Sequence, residues 1–354
     1  MGANFLIITA TFALQFPQPD TSLSTSATHG IAFERLTDLL QYNRVQGLSF
    51  GLGYQVRIPA RRTTSLYGTA RYGFSDERVT GRLTLLGHAA GGGIALSVYH
   101  DIADLDPFSP GRSIANTFNG LLAGHDNGDY ALARGGSGRF ETPIRAGVEL
   151  VLAARVEHSS SVPRVARSAV NNFLGGTGLF PPNPSIEEGT FGGLSAQLRG
   201  AGRAGWSATA DVLAGAGRST GRLFGEARRS FGSGLGVSVR LKAGAATEPA
   251  LPQVLFRLGG LHTVRGFEYG TLRAPAFWAA QEDITPFGGR ARPVVFLDAG
   301  QASPISGLFS STALVGGGVG LSLFRGLLRF DLSRSISPDR SNKVRFDLVI
   351  QGVR

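Results

Sequence analysis

From Tyr42 onward, apolar and polar residues alternate in strand-length runs, and this constrains the fold more than any other feature. In Val45–Arg57, Leu48, Phe50, Leu52, Tyr54 and Val56 take one parity, while Ser49, Gly51, Gly53, Gln55 and Arg57 take the other. Successive strand side chains point to opposite faces, so a period of two reads as strand and not as helix. Ser65–Phe74 and Arg78–Gly87 continue the pattern across Ser75-Asp76-Glu77, a hairpin-length turn. Ile94–Tyr99 follows, then weaker runs near 128–134, 145–156, 191–199, 206–213, 222–230 and 235–242. The last third repeats most clearly: Val315, Gly317, Val319 and Leu321 against Gly316, Gly318, Gly320 and Ser322; Leu328, Phe330 and Leu332 against Arg329, Asp331 and Ser333; Val344, Phe346, Leu348 and Ile350 against Arg345, Asp347, Val349 and Gln351. These runs predict an all-β chain of about 16 antiparallel strands with very little helix.

Alternation fits a soluble sandwich, which buries its apolar face, and a transmembrane barrel, which turns that face to lipid. The mean hydropathy of +0.05 decides nothing, because a barrel strand gives lipid only every second residue. Three features favour the barrel. The strands are near ten residues long, and tight turns alternate with long Gly-, Pro-, Asn- and Asp-rich segments (101–127, 158–190, 244–252 and 258–275). The polar face carries Arg together with Asp. The absence of cysteine excludes a disulfide framework, zinc-finger spacing and a thiol nucleophile. A net charge of +10, spread along the chain without basic runs interleaved with aromatics, argues against a nucleic-acid partner. Arg at alternate strand positions suits a polar lumen or lipid headgroups.

The sharpest local signal is Val264-Arg265-Gly266-Phe267, followed by an acidic strand, Trp278-Ala279-Ala280-Gln281-Glu282, and then by Phe296-Leu297-Asp298-Ala299-Gly300. This order resembles the signature of the bacterial surface-antigen superfamily: the BamA/TamA outer-membrane assembly family and its two-partner-secretion relatives. The resemblance runs from about Tyr42 to the end and is strongest over 255–335. It implies an outer-membrane β-barrel over 42–354, with the 258–275 loop folded into the lumen. Arg265 would engage Asp298, and Glu282 would be the matching acid. Parity places Asp298 with Phe296 and away from Val295 and Leu297, and it groups Glu282 with Trp278 and Ala280, opposite Phe277 and Ala279. Gly266 suits a tight backbone path, and Gly316, Gly318 and Gly320 leave room on the lumen face.

The resemblance further implies that the chain inserts or translocates proteins at the outer membrane without covalent chemistry. Recognition would be by edge pairing, at a seam between the first strand (Leu48, Phe50) and the last (Phe346, Leu348). Its expected partners are outer-membrane lipid and client β-barrel or secreted polypeptides. Family members usually carry POTRA modules, and about 40 residues precede the first strand here, so a periplasmic partner supplying a POTRA-like function is also expected. The alternatives are a passive pore or structural barrel, or the membrane-anchoring barrel of a larger multidomain protein. Leu48, Phe50, Val295, Leu297, Phe346 and Leu348 should face lipid; Arg57, Asp298, Arg329 and Arg345 should face the lumen.

Residues 1–41 read as a separate N-terminal segment. Phe5–Leu14 has the length of a signal h-region, residues 17–30 resemble a linker, and Ile31–Leu40 has the apolar spacing of one short helix. No catalytic, cofactor or metal residues are expected. Gly47-Leu48-Ser49-Phe50-Gly51 lies within a strand pattern instead of a strand–turn–helix elbow. Gly200-Ala201-Gly202-Arg203-Ala204-Gly205 reads as a hairpin connection without a βαβ unit. The six histidines lack metal-ligand spacing, and Asp101, Asp104 and Asp106 do not complete a calcium loop.

Overall fold

The computed structural model describes residues 29–33, 35–58, 64–108, 111–173, 175–201, 204–232, 235–338 and 343–350. Strands β1 (His29–Ile31), β2 (Leu40–Asn43), β3 (Gly47–Arg57), β4 (Ser65–Gly73), β5 (Arg78–Ala89) and β6 (Gly92–Asp104) come first. They are followed by β7 (Tyr130–Arg145), β8 (Val148–Ser161), β9 (Gly189–Gly200), β10 (Ala204–Gly215), β11 (Arg218–Phe231) and β12 (Gly236–Ala246). A small pair, β13 (Phe256–Leu258) and β14 (Leu272–Ala274), precedes β15 (Ala276–Thr285), β16 (Ala291–Ser303), β17 (Leu314–Leu323), β18 (Leu328–Ser337) and β19 (Arg345–Ile350).

Apart from the β13–β14 pair, the strands form one 17-stranded sheet. From β2 to β12, and again from β12 through β15 to β19, each strand pairs antiparallel with the next one along the sheet. β1 and β2 share one edge of β3: His29 lies opposite Val56, and Asn43 lies opposite Gly47. Successive strands reverse direction, so connections leave alternate ends of the sheet. The longest ones follow β6, β8 and β12, which run the same way, and therefore all emerge at one end.

The two faces differ as the alternation predicts. On β3, Leu48, Phe50, Leu52, Tyr54 and Val56 are exposed while Ser49 and Gln55 are buried. On β16, Leu297 is 52% exposed and Asp298 is 0% exposed. A soluble protein does not leave so extensive an apolar face uncovered. The opposite face carries buried Arg71, Thr80, Arg139, Gln197, Thr209 and Gln281, and parts of the long connections pack against it. Under the β12–β15 connection, Phe108, Phe256, Leu258, Val264 and Phe277 pack into one apolar cluster.

The helix expected over Ile31–Leu40 is a single turn, α1 (Leu36–Leu39), between β1 and β2. Ten residues are marginal for an isolated helix, and the unpaired edge of β3 offers the flanking segments a ladder of backbone hydrogen bonds. The sheet thus already includes His29–Ile31, inside what the sequence suggested was a separate segment. The h-region-like Phe5–Leu14 lies outside the described residues. Gly47–Gly51 sits within β3, as expected. Among the described residues, no helix is long and apolar enough to cross a membrane.

Candidate functional site

The loop between β13 and β14 carries Arg265 down onto the covered face of β15–β18. Asp298 receives it at three points: the Arg265 backbone N–H donates to Oδ2 at 2.9 Å, Nε to Oδ2 at 2.7 Å and Nη2 to Oδ1 at 2.6 Å. The other guanidinium nitrogen, Nη1, lies 2.9 Å from Asp283 Oδ1 and 3.4 Å from Asp331 Oδ2. Arg329 closes the network, donating Nη1 to Asp283 at 2.8 Å and Nε to Asp331 at 2.6 Å. Phe296 supplies the floor, with the Arg265 guanidinium carbon 3.7 Å from its ring centroid. A planar fork is suited to this task, because it serves three carboxylates and a ring face at once. Burial alone would lower the Arg265 pKa, but Asp298, Asp283 and Asp331 reverse this and raise it above its ordinary value.

Missing side chains make the close approach possible. A Cβ at Gly316 would lie 1.8 Å from the Arg265 carbonyl oxygen. Gly266 adopts φ +92°, and a Cβ there would come within 2.3 Å of the Arg334 backbone. Gly300, from the F-x-D-x-G run, faces Leu258 and Val264 in the same way. Val264 is fully buried in the apolar cluster, with Phe267 packed at its margin.

One expected partner is corrected: the acid is Asp283, not Glu282. Glu282 lies opposite Leu297 across the β15–β16 ladder and is exposed with it, whereas Asp283 lies opposite Phe296. Phe277, Ala279 and Gln281 share the covered face with Asp283, because the loop supplies that face with its own apolar cluster. Leu348 also departs from expectation. Leu48, Phe50 and Phe346 are exposed as the lipid-facing reading requires, but Leu348 is buried. A segment from the β6–β7 connection, comprising α2 (Ile114–Phe118) and a π turn (Asn119–Ala123), packs against β19 there.

A second ionic centre escaped the sequence reading. Arg44, in the β2–β3 turn, donates its backbone N–H to Asp126 at 2.7 Å and its Nε to the same oxygen at 3.3 Å. Asp126 also accepts from Tyr130 at 2.8 Å and from Asn116 at 2.7 Å. Asp129 accepts from Arg257 at 3.0 Å and from Arg273 at 3.3 Å. These contacts tie the β6–β7 and β12–β15 connections to the start of the sheet. Asp104 and Asp106 accept backbone N–H groups of Gly111 and Phe108 in the same connection. Among the described residues, no group of His, Asp or Glu has the arrangement of a metal site.

A sequence model described as a family of unknown function (DUF5686), C-terminal domain, matches residues 19–163. No curated protein matches the chain. Among solved structures, BamA from Haemophilus ducreyi lacking POTRA domains 1–3 is similar with a TM-score of 0.61 and 14% identity, over 91% of this chain and 69% of that one. CdiB from Acinetobacter baumannii gives a TM-score of 0.50 and 14% identity over 87% of this chain, which spans 57% of CdiB. At such identities the likeness speaks for fold alone, and it agrees with the sheet: the chain is an all-β fold whose large antiparallel sheet is like that of BamA barrels.

Proposed function

We propose that the chain closes into an outer-membrane barrel that inserts or translocates proteins by strand pairing, without covalent chemistry. The observation that carries this reading is the inverted sheet, with its apolar face uncovered and its buried charges held on the other side by the Arg265 loop. In lipid, an apolar exterior and fully paired strands are what a spanning sheet requires. Closure is an inference from the ladder, whose two end strands, β2 and β19, both contact the Ile114–Ala123 segment. The covered face is then the lumen, and the junction of first and last strands is the seam at which a client strand adds through backbone hydrogen bonds. Outer-membrane lipid, client β-barrel or secreted polypeptides and a POTRA-like periplasmic partner are its partners in this reading.

The filled interior weighs against the passive-pore alternative. Leu251, Phe256 and Leu258 of the β12–β15 connection are fully buried, so an open channel requires that connection to leave. The test is reconstitution in liposomes with an unfolded reporter barrel. Faster reporter folding than in protein-free liposomes supports assembly. Ion conductance with no effect on reporter folding selects the pore instead.

A further inference from the structure

The free backbone edges of the first and last strands of the ladder are already occupied. Leu348 of β19 donates its N–H to Asn119 Oδ1 at 2.6 Å and accepts from Asn119 Nδ2 at 2.8 Å. These are the two bonds by which one strand residue exchanges hydrogen bonds with a neighbouring strand. Leu348 lies opposite Phe330 of β18, yet its polar groups point away from β18 and into the side chain of Asn119. Two residues earlier on the same segment, Thr117 Oγ1 accepts the backbone N–H of Tyr42 on β2 at 3.3 Å. His125 adds a contact to the β19 side chain Asp347, Nδ1 to Oδ1 at 3.3 Å. Asn119 and Thr117 are almost wholly buried there. One segment thus bridges both edges, and it contains a π turn, an irregularity often found where helices serve function.

We infer that residues 113–125 form a latch in which the Asn119 carboxamide stands in for the peptide unit of an incoming strand, so that an extended polypeptide pairs with β19 only after the latch withdraws. A carboxamide offers one donor and one acceptor, as a peptide unit does, and so competes directly for the same groups. Thr117 holds the other edge, so withdrawal frees β2 and β19 together. The inference rests on the assembly reading for the identity of the displacing strand, but not for the occupied edge.

The test uses the whole protein in detergent micelles, with a fluorescent peptide of residues 328–337, the sequence that pairs with β19 on its other side. Asn119→Asp removes the donor and sets a carboxylate against the Leu348 carbonyl; Asn119→Ala removes both groups. Peptide binding to either variant should tighten about tenfold over the parent, as expected when a competing pair of hydrogen bonds is lost. The chain has no cysteine, so a His125→Cys/Asp347→Cys variant bridged by a short bis-maleimide holds the latch shut, and it should bind no peptide. Heat-modifiable gel mobility checks that each variant is folded. Equal binding by parent, released and bridged proteins, or binding by none of them, overturns the latch. Latch-dependent peptide binding without any effect on reporter folding keeps the latch and overturns the assembly reading.

Discussion

Arg265 is shared among three carboxylates, and this decides what its loss does. Removing it leaves Asp298 uncompensated in a site without exposure, at a cost on the order of 3–5 kcal/mol, with a smaller share from the half-exposed Asp283. Arg265→Ala and Asp298→Ala should each lower the temperature at which the folded band is lost on gels. The double variant should be little worse than Arg265→Ala, because the pair fails as a unit. Arg265→Lys should rescue only part, since a point charge cannot hold Asp298 in two-point fashion and also reach Asp331. Strictly additive losses would show that the residues act separately. The neighbouring acids provide a second check: Asp283→Asn should destabilise measurably, while Glu282→Gln should stay within about 0.5 kcal/mol of the parent in the same assay. The Arg265–Asp298 pair was legible because its residues stand in a recognisable order on a loop and a strand. Asp283 was not, because both parities of β15 are apolar at first, Phe277 and Ala279 against Trp278 and Ala280. Only the loop cluster decides which of them is inside.

At the scale of elements, the loop sits where four backbones come close together, and glycine at 316 is what makes this possible. Gly316→Val must push the loop away, at a cost of about 1–3 kcal/mol. The measurement is limited proteolysis: cleavage after Arg265 should become fast in the variant and stay slow in the parent. Unchanged protection would mean that the loop is not seated on β17. The strands themselves were readable, since β3 and most of β17 and β18 alternate and turns such as Ser75-Asp76-Glu77 end the runs. Strand ends were less so: β6 runs on to Asp104 and β7 to Arg145 beyond the alternating stretch, where pairing with a neighbour outweighs composition. The Arg44–Asp126 and Arg257–Asp129 ties were illegible for a different reason. They join residues 82 and 128 positions apart, with no local pattern to announce them.

For the whole molecule, everything turns on the inverted sheet. If the uncovered face meets lipid, a charge placed at its centre should be penalised there. Leu297→Arg should cost roughly 2–4 kcal/mol of folding stability in liposomes, as for a midplane site on a barrel exterior. Equal stability in the parent and the variant would place Leu297 in water. The seam and the client reading assume this orientation, because only a sheet whose uncovered face meets lipid spans a membrane. The most direct measurement is a single-cysteine scan of β16 from Val294 to Asp298 in liposomes containing nitroxide-labelled lipid, with a fluorophore on each thiol. The account predicts a period of two, with quenching by the lipid nitroxide at Val295 and Leu297 and none at Val294, Phe296 and Asp298. Quenching in the opposite phase, or equally at every position, would contradict it.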